Sequence, residues 1–188
     1  EHGWFDKRWM YEESFKMPFV IKNPRIIEPG TNSDAMVMNV DFAPTLLDMA
    51  GLEIPSQMQG KSFKEVFEGG KNIKNRKSVY YHYYEWPIWH KVQPHYGIRT
   101  DRYKLMHFYY SMDEWELYDL KTDPNEINNI YSEASPELIA SLKHELQELR
   151  KEYKDDGSIE QMKRMTDTVI RRVYNEPKVY KEPNNTKK

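Results

Sequence analysis

Lys7, in the opening stretch EHGWFDKRWMYEES, stands beside Asp6 and Arg8 with Trp4, Phe5 and Trp9 around it. Aromatic packing can hold an ammonium where it meets an anionic group, although the same residues also suit a plain surface lysine. His2, in the same glycine-containing loop, reads as a polar loop residue. The second candidate is YYHYYEWPIWHKVQPHY, residues 80–96, with seven Tyr or Trp, three of the six histidines, and Glu85. Strand alternation puts Tyr80, His82 and Tyr84 on one face and Tyr81, Tyr83 and Glu85 on the other. Rings with an apolar face and a polar tip suit the C–H faces and hydroxyls of sugars, and a histidine can add a donor to an anionic substituent. An aromatic sheet core explains about half of this stretch. It explains Trp86, Trp89 and His90 poorly, because a loop between Pro87 and Pro94 is seldom core.

Other chemistry is thin. There is no H-x-x-x-H, G-x-G-x-x-G, P-loop or G-x-S-x-G pattern. DEWELYD reads as strand and turn rather than a glycosidase carboxylate pair, and no nucleophile stands out. Absence of cysteine excludes disulfides, thiolate zinc sites and cysteine nucleophiles within these 188 residues. A net charge of -2 argues against nucleic acid as the main partner. No apolar run reaches the roughly 18 residues a membrane helix needs.

The elements that must position these residues follow from spacing. Short strands are expected at 18–22 and 35–40. A helix then runs through DFAPTLLDMAG, with Asp41 as N-cap and Phe42, Leu46, Leu47 and Met49 as its apolar face. Ser62 and Glu65 form a capping box for a short helix that ends at Gly69-Gly70. From Ser78 to Leu120 the chain alternates and is rich in β-formers, predicting about four antiparallel strands with a tight hairpin at Thr100-Asp101. Ser135-Pro136 opens a helix whose stripe is Ile139, Leu142, Leu146, Leu149 and Tyr153. Ser158 and Gln161 open a second, with Ile159, Met162, Met165, Val169 and Val173 on its apolar side. From Gln161 onward there are eight basic and three acidic residues, which reads as an exposed arm. The fold class is α+β, a four-stranded antiparallel sheet packed by a long C-terminal helix. Strands 18–22 and 35–40 are orphans, since a two-strand patch is marginal alone.

Taken in order, EHGWFDKRWMYEES…MPFVI, NVDFAPTLLDMAGLEIP…QG, YGIRTDRYKL and ELYDLKTDPNEINNI resemble the C-terminal part of formylglycine-dependent sulfatases, of the alkaline-phosphatase-like superfamily. The likeness runs from residue 1 to about 155 and is nearest in look to bacterial polysaccharide and glycosaminoglycan sulfatases. It implies that residues 1–72 end a large catalytic α/β domain, that 73–157 form a small sheet-plus-helix subdomain, and that 158–188 are a basic arm outside the shared pattern. It also implies a missing N-terminal catalytic portion, carrying the C/S-x-P-x-R motif that yields formylglycine and the aspartates that bind Ca²⁺. No metal ligand is expected within this chain.

The resemblance carries one catalytic residue over: Lys7 matches the lysine that contacts the sulfate. His95, then His82, Trp86 and Trp89, are the expected sugar contacts, while Arg99 and Arg102 are expected to be structural. The implied substrate is a sulfated carbohydrate, with a 6-O-sulfated N-acetylhexosamine as the finer expectation. The implied location is periplasmic, secreted, cell-surface or, in an animal, lysosomal. Two alternatives remain at this point: a phosphodiesterase or phosphonate monoester hydrolase of the same superfamily, and a non-catalytic carbohydrate-binding module using the 80–96 aromatics. On the first reading the chain alone is inactive.

Overall fold

β-Branched and aromatic residues alternate from Ser78 to Asp119, and in the computed structural model of the chain they form four strands. The structure describes residues 2–3, 7–69, 76–86 and 92–174. The strands are β1 (Ser78–Tyr83), β2 (His95–Thr100), β3 (Tyr103–Phe108) and β4 (Glu114–Asp119), hydrogen-bonded in the order β1-β2-β3-β4. The β2–β3 hairpin turns at Asp101-Arg102, with Arg99 opposite Lys104 and His95 opposite Phe108. Thr100 closes the turn, its hydroxyl accepting from the Tyr103 N–H at 2.8 Å. β3 and β4 pair antiparallel, with Leu105 opposite Leu117. The sheet expected from the sequence is present.

Its alternation sorts the side chains into two cores. Tyr96, Ile98, Leu105, Tyr109 and Leu117 face Leu142 and Leu146 of α4 (Pro136–Glu152), together with Met162 and Ile170 of α5 (Ile159–Tyr174). Both helix starts were legible. The Ser135 hydroxyl accepts from the Leu138 N–H, with Pro136 at the first helical position. Ser158 and Gln161 bond reciprocally at 2.7 and 3.2 Å. The apolar side of α5 is turned from the expected one: Met162, Thr166, Asp167 and Ile170 are buried, while Met165 is 66% exposed and Val169 and Val173 also face outward.

On the opposite sheet face Met106, Phe108 and Tyr118 meet Met10 and Tyr11, with Trp9 and Phe15 packed alongside. Residues 9–15, including the short helix α1 (Glu12–Phe15), therefore cover the side that α4 leaves bare. A glycine makes this possible. A Cβ on Gly97 of β2 would sit 2.4 Å from the Leu105 carbonyl oxygen and 2.7 Å from the Met10 sulfur. Gly97→Ala is expected to destabilise the sheet unit by about 1–3 kcal/mol, read by thermal melting. An unchanged melting temperature would contradict this packing.

The chain divides into two compact units, one of Glu1–Met17 with Tyr80–Lys188 and one of Pro18–Val79. The second contains a 3-10 turn at Asn39–Asp41, α2 (Phe42–Met49) and α3 (Lys64–Phe67). Residues 18–22 and 35–38 form no strand, as suits segments without a neighbour to bond. The expected face of α2 is corrected: Pro44 and Thr45 are buried and Leu46 is 63% exposed. Asp41 does precede α2, but its side chain makes no bond to that helix. Instead its carboxylate accepts from the backbone N–H of Met38 and of Lys61, and from the buried Arg76 guanidinium. Ser62 accepts from the Lys64 N–H and donates to Asp48, but the residue that precedes α3 is Phe63, and no side chain caps the helix as the expected box would.

Candidate functional site

Lys7 is exposed and immediately precedes the segment laid on the sheet. Its neighbour Arg8 is fixed twice: Tyr81 donates its hydroxyl to the Arg8 carbonyl at 3.0 Å, and the Arg8 guanidinium meets Glu85 at 3.1 Å. His2 stacks on Tyr11, ring centroids 4.0 Å apart. Lys7 is thus presented to solvent from a strap whose next residues are anchored.

His95 lies beneath this strap and is fully buried. Phe108, Tyr83, Tyr81 and Trp9 surround its ring at centroid distances of 4.9 to 5.9 Å. Burial holds its pKa down at about 4, so the ring is neutral. Nδ1–H donates to the Gln93 carbonyl at 2.8 Å, which leaves Nε2 a buried acceptor without a hydrogen-bond partner. In that tautomer Nε2 suits a hydroxyl group and cannot donate to a sulfate oxygen.

His82 points to the other face. Its Nδ1–H donates to Asp155 at 2.5 Å and its Nε2 accepts from the Tyr109 hydroxyl at 2.9 Å. Tyr80 and Tyr84 donate to the same Asp155 oxygen at 2.6 and 2.9 Å, which confirms the expected alternation of Tyr80, His82 and Tyr84. Desolvation lowers the His82 pKa, and its Nδ1 proton is committed to tying β1 to the residues that follow α4. Burial would raise the Asp155 pKa, but the donors His82, Tyr80 and Tyr84 overcome it and hold the carboxyl at about 2. A depressed carboxyl pKa contributes stability that is present above its unfolded value near 3.8 and is lost as pH falls toward 2. Asp155→Asn is therefore expected to flatten the loss of melting temperature between about pH 4 and pH 2, against wild type, in a pH-resolved melt. Parallel curves would contradict the assignment.

Trp86 packs on Tyr110, and its indole nitrogen is buried without a hydrogen-bond partner. Trp89 lies outside the described residues. The candidates therefore divide, with His95 under the Lys7 strap and His82 facing the helices. Arg99 is paired with Glu12 at 3.2 Å and Arg102 with Asp119 at 2.7 Å. Both arginines line a 370 Å³ pocket beside α1. Among the described residues, no group of three or more His, Cys, Asp or Glu side chains is placed to hold a metal ion. They do not fit a Ca²⁺ site, and without cysteine or a C/S-x-P-x-R motif the chain does not fit a formylglycine source either.

Sequence reasoning missed the charges under the strap. Lys104 is fully buried, its ammonium 2.8 Å from Glu12 and 2.7 Å from Glu126. Glu126 accepts from the Glu12 N–H at 2.6 Å, and Glu116 accepts from Tyr11 and Tyr118, both at 2.9 Å. The available signal was positional. Lys104, Met106 and Phe108 share one strand face, so a lysine interrupts an apolar row.

The sequence matches, over residues 1–152, the family described as N-sulphoglucosamine sulphohydrolase, C-terminal. An N-acetylglucosamine-6-O-sulfatase of Bacteroides thetaiotaomicron is 54% identical over 159 residues, covering 83% of this chain and 28% of the relative. The N-acetylglucosamine-6-sulfatase of Bos taurus is 29% identical over 174 residues, covering 77% of this chain and 31% of its own length. A solved structure, described as a complex with its substrate D-glucosamine-2-N,6-O-disulfate, superposes with a TM-score of 0.81 at 52% identity. That match covers 86% of this chain and 33% of the other. The chain therefore spans under a third of the length of these relatives. With its sheet, covering helices and strap all inside or beside the matched region, the chain belongs to the N-sulphoglucosamine sulphohydrolase C-terminal family.

Proposed function

We propose that this chain is the C-terminal part of a sulfatase that hydrolyses sulfate esters of sugars, and that its substrate is a 6-O-sulfated N-acetylhexosamine. The observation that carries this is the family match over residues 1–152, which takes in Lys7, the strap and the whole sheet. The substrate reading draws on the 54% identity to a relative named N-acetylglucosamine-6-O-sulfatase. Lys7 contacts the sulfate, and its ammonium offsets charge on the sulfuryl oxygens as the ester bond breaks. His95 contributes an acceptor for a sugar hydroxyl, provided the rings that cover it part on binding. His82 with Trp86 supports the aromatic segment, and Trp89, outside the described residues, is a further proposed sugar contact.

Residues 1–72 complete a catalytic α/β domain whose larger portion supplies the nucleophile and the Ca²⁺ ligands, and residues 73–157 are the small subdomain; α5 of the expected 158–188 arm is not free but packs Met162 and Ile170 into that subdomain's core. Exposed apolar side chains in the Pro18–Val79 unit support this, Val20 at 92% and Leu52 at 59% among them, because such surface is normally covered. Export to the periplasm, cell surface or lysosome accompanies the reading. The test is sulfate release by the intact protein from a panel of 6-O-, 4-O- and 2-O-sulfated sugars, with a phosphodiester and a phosphonate monoester alongside. Release from the 6-O-sulfated N-acetylhexosamine is the expected result.

A further inference from the structure

The strap after Lys7 is fixed to the sheet by polar contacts where apolar cover alone would have sufficed. Tyr81 and Glu85 hold Arg8, Glu116 holds the Tyr11 hydroxyl, and Glu126 takes the Glu12 N–H. Beneath them the ammonium of Lys104 bridges Glu12 and Glu126, and the side chains of Lys104 and Glu126 are both without solvent exposure. A buried ion pair is a poor way to gain stability, since its desolvation offsets most of its attraction. What such a pair does enforce is register, because a shifted strap would leave a buried charge unpaired. Glu126 also adopts a left-handed backbone, φ 54°, which non-glycine residues seldom take without something to hold them there. That conformation accompanies the 2.6 Å bond from its carboxylate to the first N–H of α1. Met10, seated over Gly97, fits only if the strap lies at this height on the sheet.

We infer that Lys104, Glu126 and Glu116 are positioning residues for Lys7: they fix the register of residues 8–15 on the sheet and so hold the lysine at one place in the pocket it serves. Lys104, Glu126 and Glu116 thereby take part in catalysis without themselves touching substrate. This rests on the sulfatase reading above. The physical reason is distance. A charge that stabilises a transition state acts through a Coulomb term set by its separation, and a displacement of about 1 Å in a catalytic group can lower rates by about 10²-fold.

The test is a double-mutant cycle in the intact enzyme. Glu126→Gln keeps the shape of the side chain and removes the charge that holds Lys104. In the Lys7 background it is expected to lower kcat about tenfold with KM changed less than about twofold, the pattern of an interaction made in the transition state. In the Lys7→Ala background the same substitution is expected to change kcat by less than about twofold, because the group it positions is gone. Equal losses in both backgrounds, or a folded Glu126→Gln with unchanged kcat, would overturn the positioning role. If Glu126→Gln does not fold, Tyr11→Phe removes a different anchor with less disruption and enters the same cycle, with a loss of about threefold expected only when Lys7 is present. A wild-type enzyme that releases no sulfate overturns the sulfatase reading and this inference with it. An active wild type with additive losses overturns the inference alone.

Discussion

Replacing Lys7 by alanine in the intact enzyme is expected to lower kcat/KM for a sulfated sugar by about 10²–10³-fold. Sulfate-ester cleavage builds charge on the leaving oxygen while the sulfuryl oxygens stay anionic. An ammonium about 4 Å from such an oxygen contributes roughly 4 kcal/mol of attraction at an effective dielectric near 20. Desolvating the lysine takes back part of this, so about 3–4 kcal/mol of transition-state stabilisation is the realistic loss for one fixed charged donor. Lys7 itself is exposed and Arg8 after it is anchored, so the substitution should leave the sheet unit folded. Steady-state kinetics with a melting curve on the same sample reads both quantities. A loss under about fivefold with the fold intact would remove Lys7 from the active site.

Asp41→Ala is expected to unfold the Pro18–Val79 unit while leaving the sheet unit in place. Asp41 is fully buried and accepts from four groups: the Met38 N–H at 2.7 Å, the Lys61 N–H at 2.8 Å, and both terminal nitrogens of Arg76, Nη2 at 2.9 Å. Arg76 is buried in turn and also donates to the Met36 carbonyl at 2.9 Å. Removing the carboxylate strands a buried guanidinium, which costs about 3–5 kcal/mol. The two backbone N–H groups left behind each add about 1–3 kcal/mol. Folded units are stable by only about 0.05–0.15 kcal/mol per residue, so a unit of this size cannot absorb that loss. Hydrogen exchange resolved by segment should show protection lost within 18–79 and kept at β2, β3 and β4. Protection unchanged around α2 would contradict the role given to Asp41.

What could be read from the sequence was local. Alternation at 78–120 gave the strands, Thr100-Asp101 marked the hairpin, and Ser135-Pro136 and Ser158–Gln161 marked two helix starts. These signals act within a few residues, so nothing distant could overrule them. The face of α2 and that of α5 were misread because burial there is decided by partners far along the chain. Thr45 is buried since its hydroxyl donates to the Asp41 carbonyl and accepts from the Phe63 N–H, and no hydrophobic period reveals that. At the candidate site the two faces of β1 were legible from alternation alone. The partners were not, because Asp155 lies 73 residues beyond His82 and Glu126 lies 114 beyond Glu12. Lys7 became a candidate only through the family pattern, since its own neighbours suit a surface lysine equally well. A lysine within the apolar row of β3 was the one visible sign of the charged contacts under the strap.

The most direct measurement of the central claim is sulfate release by the intact protein from a 6-O-sulfated N-acetylhexosamine, followed by ion chromatography, with a phosphonate monoester and a phosphodiester at equal concentration. Release of sulfate from the sulfated sugar, well above any turnover of the phosphorus esters, is the result expected of a sulfatase. Turnover of a phosphorus ester with no sulfate released, or sugar binding with no turnover at all, would contradict it.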